Sequence, residues 1–276
     1  MQYGEAASIE GREAARRAAQ LYAQLGDRRG RYLALAHLAY TYRTLDDADE
    51  AKAAYDELTR LEDPAWPPAV RLFGARLEAR SASPEQRIAI GRTVNQARLA
   101  LATAAGSDYE INSALVNLAD LALMAGDASD AVQRNRALLA RLGPPHLASR
   151  AIALGNLIEA LVAQEDLTQA RSVVHEWVDV VTRLDHMFGM FAADVLALLA
   201  ALEGRWASAA QLLGYSDRAY AARHRERGAN EHTIRERAAT LLDKHTDRHD
   251  REAWMAEGAL LGAAQVCRLA LNPASA

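Results

Sequence analysis

The sequence predicts an all-α fold, a right-handed α-solenoid built from stacked antiparallel helix pairs, and three observations point to it. Half of the 276 residues are hydrophobic but only 6% are aromatic, and alanine and leucine, both strong helix formers, dominate. One residue pattern returns at nearly constant spacing along the chain. Turn residues, mostly glycine with aspartate or proline, separate the apolar segments.

The repeat is clearest at a small or aliphatic position in the second helix of each predicted pair. Its six copies, separated by 37, 39, 41, 39 and 39 residues, are Ala14, Ala51, Ile90, Ala131, Ala170 and Ala209. A leucine stands thirteen residues before four of these positions, at Leu38, Leu118, Leu157 and Leu196. Turn residues stand five before them, at Asp46, Gly126, Glu165 and Gly204. Such regular spacing is typical of a repeat array.

The copy from 112 to 138 indicates how one repeat packs. Apolar residues recur at spacings of three and four in its first helix, at Leu115, Leu118, Ala119, Ala122 and Leu123. Gly126 is expected to end this helix in the left-handed conformation, and Asp127 to cap the next. Ala131 then allows close helix approach, with Asn135 and Leu138 on the same face. Because neither helix buries its stripe alone, neighbouring pairs must stack.

Breaks between pairs are predicted where a stop signal precedes a restart, at Gly26-Asp27, Asp63-Pro64, Gly106-Ser107-Asp108 and Gly143-Pro144-Pro145. One copy departs from the pattern. Leu77 fits the repeat leucine, but Ser83-Pro84 indicates an N-cap followed by proline at the first helical position. The second helix of this pair is therefore expected to start early and to be longer.

Residues 1–214 are expected to form the repeats, and residues 215–276 a helical cap continuous with them. Charged runs at 223–227 and 235–237 are placed on two helices with a narrow apolar stripe, at Ile234, Ala238, Leu241 and Leu242. A basic patch for nucleic acid is the alternative. Glu226, Glu231 and Glu236 interrupt the basic residues, and the net charge of −4 gives no general attraction to phosphate, so a cap is favoured.

At this point a family resemblance is visible. A leucine-bearing first helix, a Gly-Asp turn and an Ala-x3-Tyr-x2-Leu second helix together resemble the tetratricopeptide repeat, in a variant of about 40 residues instead of 34. Residues 18–30, AAQLYAQLGDRRG, and the stretches 202–214 and 254–258 are similar to the tetratricopeptide tails of large bacterial transcriptional regulators, signal-transduction ATPases of the LuxR-like or SARP-like kind. The resemblance implies a non-enzymatic regulatory segment in the cytoplasm.

The other parts of such regulators have no counterpart in this sequence. It contains neither a Gly-x4-Gly-Lys-Ser/Thr phosphate loop nor a basic recognition helix. The first clear helix, predicted over 11–25, corresponds to the second member of a pair. Two explanations are open: the chain is a fragment of a longer protein, which we favour, or something else covers its N-terminal face.

The resemblance also implies a binding groove lined by the first helices. Counted from the repeat leucines, the predicted groove residues are His37, Tyr40, Asn117, Asp120, Asn156 and Glu159. Asp194 is a further carboxylate at the groove, next to the position counted from Leu196. Asn117 and Asn156 resemble groove asparagines that hold a peptide backbone, since one amide both donates and accepts; the alternative is that they are ordinary surface residues. The carboxylates predict an acidic groove that prefers a basic or neutral segment.

No constellation in the sequence predicts catalysis, a cofactor or a metal. His245 and His249 are spaced i, i+4, but they stand in a densely charged stretch without a His-Glu-x-x-His pattern, which favours a solvated helix end. Cys267, the single cysteine, lies among apolar residues and is expected to be a buried hydrophobe. No apolar stretch is suited to cross a membrane.

Two functional classes remain open. The first is a protein-interaction or effector-sensing domain of a regulator, which binds a protein, peptide or small effector or associates with its own copies. The second is a free-standing scaffold or adaptor without a transcriptional role. Neither class implies direct contact of this segment with nucleic acid or membrane.

Overall fold

The computed structural model describes residues 2–44, 47–72, 84–143, 146–184, 189–223 and 226–271. Within these ranges the chain forms fourteen α-helices and no strand, which confirms the predicted all-α class. The helices are α1 Gln2–Gln24, α2 Arg28–Thr44, α3 Ala48–Leu61, α4 Pro68–Arg71, α5 Pro84–Ala105, α6 Asp108–Met124, α7 Ala128–Arg141, α8 Leu147–Ala163, α9 Leu167–Thr182, α10 Gly189–Leu202, α11 Trp206–Ala222, α12 Ala229–His245, α13 Arg248–Ala259 and α14 Ala263–Leu271. No described helix is long and apolar enough to cross a membrane.

The chain divides into two compact units, Met1–Leu118 and Ala119–Ala276, with the boundary inside α6. In the first unit α2 packs against both α1 and α3. Tyr32, Leu35, Tyr42 and Leu58 are buried in its core. The Tyr32 hydroxyl donates a 3.0 Å hydrogen bond to the carbonyl oxygen of Arg71, which ties α2 to α4.

The second unit has one continuous core formed by α8 with α7 and α9, by α10 with α11, and by the C-terminal helices. The repeat alanines Ala131, Ala170 and Ala209 have no exposed surface, and Leu157 and Leu196 are buried beside them. The pairing of adjacent helices predicted from the repeat is therefore observed here. Trp177 is buried at the position where α7 carries Leu138.

Five turns share one backbone conformation. Gly26, Gly106, Gly126, Gly204 and Glu165 all have φ between 60° and 74°. The N–H of the following residue bonds a carbonyl five residues back, as in Asp127 to Ala122 at 2.9 Å. The Asp127 carboxylate then accepts from the N–H of Asp130 at 3.0 Å. The predicted C-cap at Gly126 and N-cap at Asp127 are thus confirmed.

Some predicted positions differ in the N-terminal half. The helix expected over 11–25 is the longer α1, and its Leu21 and Leu25 are 51% and 77% exposed, although the equivalent Leu138 and Leu142 are buried. The longer helix predicted after Ser83 is confirmed, since α5 begins at Pro84 and has 22 residues against 14 in α3 and α7. Asp46, Leu77, Ser83, Pro144 and Pro145 lie outside the described residues.

The C-terminal helices pack onto the last repeats. Helix α12 packs against α10, and Ile234, Ala238 and Leu242 are buried as the stripe predicted. Helix α13 crosses α11 where Gly214 meets the backbone of Met255 and Gly258 meets that of Gln211. The placement of Arg223, Glu226 and Arg227 on a helix was wrong, since α11 ends at Ala222 and α12 begins at Ala229, while His224 and Arg225 lie outside the described residues.

Candidate functional site

The second unit contains a cavity of about 310 Å³ bounded by the first helices α6, α8 and α10 and by α12. Its walls are largely apolar, formed by Leu123, Met124, Val162, Val195, Leu198 and Ile234. The polar groups at the cavity are Glu159 on α8 and Asn230, Thr233 and Arg237 on α12. The C-terminal end of α6 contributes to the lining together with α8 and α10, and residues one repeat apart, Asp120 and Glu159, are close enough for their charges to interact.

Glu159, a residue of the cavity wall, interacts electrostatically with two further carboxyl groups, those of Asp120 and Glu231. Burial raises the pKa of Glu159 to about 8, and the negative charges of Asp120 and Glu231 add to the effect. Burial also raises the pKa of Asp120 to about 6, again with a contribution from Glu231. The outer surface of Asp120 remains open to solvent, but protein displaces bulk water around most of the group. A cation placed here would relieve repulsion that the protein itself leaves in place.

Neither Asp120, Glu159 nor Glu231 forms an ion pair with a described residue. This distinguishes them from Glu176, Asp194, Glu203 and Asp217 of the same unit, which pair with arginines. Asn230 is the other unsatisfied group at the cavity: its side-chain Nδ2 has no accessible surface and no hydrogen-bond partner among the described residues. A buried donor without a partner is costly in a protein interior, so the site offers one donor and several negative charges to a ligand.

Asp194, predicted to face an open groove, lies in a buried ion pair instead. It is 2% exposed and accepts hydrogen bonds from Arg227 at 2.7 and 3.2 Å. Arg227 also bonds Ser216 and Asp217, each at 2.8 Å, and its guanidinium lies 4.4 Å from the ring centroid of Tyr220. This arginine comes 33 residues after Asp194, so no local pattern indicated the pairing.

Arg235 completes this network from α12. It bonds both carboxylate oxygens of Asp217, at 2.8 and 2.7 Å. Burial alone would raise the pKa of Asp217, but the hydrogen bonds and charges of Arg235 and Arg227 lower it. The network attaches α12 and the segment before it to α10 and α11, and so fixes the fourth wall of the cavity.

The remaining predicted groove residues are distributed over both units. In the first unit His37 and Tyr40 are exposed, and the Asn117 Nδ2 donates a 3.0 Å hydrogen bond to Asn95 Oδ1. In the second, Asn156 is half-buried one turn before Glu159. The structure therefore brings Asp120 and Glu159 together at the cavity, and adds Asn230, Glu231 and Arg237, which the sequence analysis had assigned to a cap.

His245 and Cys267, which the sequence offered as candidates for metal binding or reactivity, are packed against other residues of the fold. The ring of His245 stacks on Trp206 with centroids 4.6 Å apart. Burial raises the pKa of the Cys267 thiol to about 11. Among the described residues no group of three histidine, cysteine, aspartate or glutamate side chains is arranged to hold a metal ion.

No protein-family model matches the sequence, and no curated protein is significantly similar to it. Functional inference for this chain therefore depends on its own residues and on the geometry of the cavity.

Proposed function

We propose that this chain is a non-enzymatic protein-interaction or effector-sensing domain of the tetratricopeptide type, acting in the cytoplasm as the C-terminal regulatory part of a bacterial transcriptional regulator. The observation that carries the proposal is Glu159, which lines the cavity and interacts electrostatically with Asp120 and Glu231, while none of the three forms an ion pair among the described residues. Stacked helix pairs commonly serve as binding scaffolds, which supports a binding role.

The charge of the site supports a basic or neutral ligand. Bringing three carboxylates together costs free energy that a ligand cation can recover, whereas an acidic ligand would add to the repulsion. Arg237 lies at the cavity as well, but its one positive charge does not balance the negative charges of Asp120 and Glu231, to which Glu159 adds its own once a cation ionises it. The preference for a basic or neutral segment predicted from the sequence is therefore retained as part of the proposal.

Ligand binding here has a direct route to regulation. The cavity is formed by helices of separate repeats and by α12, so a ligand that contacts them together stabilises their present arrangement. A signal of this kind, or association between copies of the chain, would alter the activity of a DNA-binding domain joined to it. In the alternative class, a free-standing scaffold or adaptor, ligand binding would leave transcription unchanged.

Fluorescence anisotropy with labelled peptides tests the proposal. Three peptides of equal length, basic, neutral and acidic, are titrated with the 276-residue chain at low ionic strength. We expect the basic peptide to bind about tenfold more tightly than the acidic one, and this preference to disappear in the variant carrying both Asp120→Asn and Glu159→Gln. The matched control is Glu236→Gln, which removes an exposed carboxylate of α12. Acidic peptides that outcompete basic ones would refute the proposal.

A further inference from the structure

We propose that the cavity between α6, α8, α10 and α12 binds a small amphiphilic ammonium ion, a primary amine on an apolar chain that also carries an oxygen acceptor. This inference rests on the proposed function and narrows its ligand from a peptide or effector to one chemical class. It depends on four features of the cavity: its closure by α12, its apolar walls, its charge and its unpaired donor.

Closure by α12 limits the size of the ligand. A whole extended peptide does not fit inside, because α12 packs against α10 and borders the cavity together with α6 and α8, so only a basic side chain of a peptide could enter. Buried Ile234, Ala238 and Leu242 hold α12 in place, together with the ion pair of Arg235 with Asp217. The remaining space of about 310 Å³ is at the lower end of the range for small-molecule sites.

The walls favour a ligand with an apolar body. Leu123 from α6, Val162 from α8, Val195 and Leu198 from α10, and Ile234 from α12 all contribute to the lining. A fully hydrophilic cation, such as a metal ion or a short polyamine, would leave this surface uncovered. An alkyl chain would bury it, with a free-energy gain in proportion to the apolar area removed from water.

The polar groups define the two ends of the ligand. Glu159 lies in the wall and is close enough to Asp120 of α6 and Glu231 of α12 for their charges to act on it, while α10 contributes only apolar residues to the lining. An ammonium group beside Glu159 favours the ionised form of that group, and gains from its charge together with the more distant charges of Asp120 and Glu231. Asn230 also lies in the wall, and its Nδ2 is buried with no partner among the described residues, so a rotation of this amide toward the cavity would let it donate to an oxygen acceptor on the ligand. Arg237 is exposed, and its flexible side chain leaves the entrance accessible.

Binding of an ammonium ion has a protonation signature. Glu159, with a pKa of about 8, is mostly protonated at pH 7. A bound cation favours the carboxylate, so the group loses its proton when the ligand enters. Close to one proton should be released for each ammonium ion bound at pH 7, and affinity should rise with pH until about pH 8.

Isothermal titration calorimetry with three matched probes tests the inference. The probes are 6-aminohexan-1-ol, 1,6-hexanediol and 6-hydroxyhexanoate, which share one hydroxyl-bearing chain and differ in the charge of the other end. We expect the amino alcohol to bind about tenfold more tightly than the diol, and the acid not to bind. Titrations in two buffers of different ionisation enthalpy should show the released proton.

Variants locate the binding. Glu159→Gln should weaken the amino alcohol about tenfold and abolish proton release, while Glu236→Gln should retain wild-type affinity within about twofold. Neither change removes a buried apolar contact, so both variants should fold. Failure of the amino alcohol to bind, equal binding of the diol, or unchanged affinity in Glu159→Gln would each overturn the inference.

The peptide experiment separates this inference from the proposed function. Basic peptides that bind through Asp120 and Glu159, together with failure of the amino alcohol, would overturn the small-amine inference and leave the proposed function standing. If neither the basic peptides nor the amino alcohol bind, the small-amine inference and the proposed function are both overturned. If the amino alcohol binds as expected and peptides do not, the site is an effector site and the peptide-binding part of the proposed function falls.

Discussion

At the residue scale, Glu165 is the most unusual residue of the described backbone. Its φ of 60° lies in the left-handed region, and the four other described residues with positive φ are glycines. The Asp166 N–H bonds the Leu161 carbonyl at 3.0 Å, as in the glycine turns, so the fold imposes the same conformation on a residue with a Cβ. Left-handed backbone costs a non-glycine residue about 1 kcal/mol.

Replacement of this residue should therefore stabilise the protein. Glu165→Gly is expected to raise the free energy of unfolding by about 0.5–1 kcal/mol, measured by urea denaturation. Gly126→Ala is the reverse control. Its Cβ would meet no atom within 4 Å, so the expected loss of about 1 kcal/mol comes from φ alone. A destabilised Glu165→Gly variant would show that the glutamate side chain contributes more than the strain costs.

A second prediction at this scale concerns pH. The pKa of Glu159 in the folded state is about 8, above its ordinary value of 4.5, so folding favours the protonated form. The contribution of this group to stability is therefore greatest below about pH 4.5 and is lost as pH rises toward 8. In Glu159→Gln the fall in stability between pH 5 and pH 8.5 should be smaller by about 4 kcal/mol.

Urea denaturation at both pH values measures this effect, with Glu236→Gln as the control at an exposed position of α12. If Glu159→Gln follows the same pH dependence as the unmodified protein, Glu159 is not the group that titrates. The same measurement indicates whether Asp120, whose pKa is raised in the same direction, accounts for the remainder.

Single residues also mark the limit of sequence reasoning. The cap at Gly126 was predictable because the turn is a local structure whose residue requirements are strict. The burial of Asp194 was not predictable, because its partner Arg227 is 33 residues away and lies in a connection between helices. The only available signal was that Asp194 stands between Ala193 and Val195 in an apolar helix. A carboxylate buried in such a place needs a cation inside the protein.

At the element scale, α11 and α13 cross at unusually close range. A Cβ on Gly214 would overlap the carbonyl oxygen of Met255, and one on Gly258 would overlap that of Gln211. Both clashes are with backbone, which cannot rotate away as a side chain does. The glycines therefore determine the distance between these helices, and through it the position of α13.

Alanine at either glycine should separate the two helices. We expect Gly214→Ala and Gly258→Ala each to lower the free energy of unfolding by about 3 kcal/mol or more, because backbone must move. Gly155→Ala in α8 is the matched control. Its Cβ would lie 3.8 Å from Trp177 Nε1, an ordinary contact, so better helix propensity should give a gain of about 0.5–1 kcal/mol. Thermal denaturation compares the three, and a tolerated Gly214→Ala would contradict the close crossing.

Helix α12 shows what could be predicted at this scale. The stripe of Ile234, Ala238 and Leu242 correctly indicated one buried face. It did not indicate which helices would cover that face, because an apolar stripe specifies burial without naming a partner. The cavity, which depends on α12 as its fourth wall, could not be derived from the sequence for this reason.

At the scale of the whole molecule, the ion pair of Asp194 and Arg227 links sequence-distant parts of the second unit. Asp194→Ala would leave the guanidinium, whose side chain is only 15% exposed, with fewer partners. We expect a loss of about 3 kcal/mol, since removal of one member leaves a desolvated charge. Lys52→Ala, which breaks an exposed pair with Asp56 in the first unit, should cost at most about 0.5 kcal/mol.

Hydrogen exchange measured by mass spectrometry can localise this effect. In Asp194→Ala the amides of α10 and α12 should exchange faster, while those of α2 and α3 in the first unit should keep their protection. Equal acceleration in both units would show that they unfold together. Unchanged exchange in α12 would show that Arg227 and Arg235 do not secure it.

The overall class of the fold was predictable because a repeat multiplies weak signals. One alanine says little, but Ala131, Ala170 and Ala209 at equal spacing predicted a buried position in three successive second helices, and all three alanines are fully buried. The same rule failed at Ala14 and Ile90, which are exposed. These copies lie outside the second unit, where the continuous core encloses each helix pair from both sides.

The burial of Cys267 has a practical consequence. This is the one cysteine of the chain, it is 2% exposed, and its thiol has a pKa of about 11, so very little reactive thiolate exists at neutral pH. A cysteine introduced at an exposed position would then be labelled selectively with maleimide dyes, without prior removal of the native thiol. A fluorophore or spin label attached at the rim of the cavity would then report whether a ligand occupies the cavity, in a chain that is otherwise unaltered.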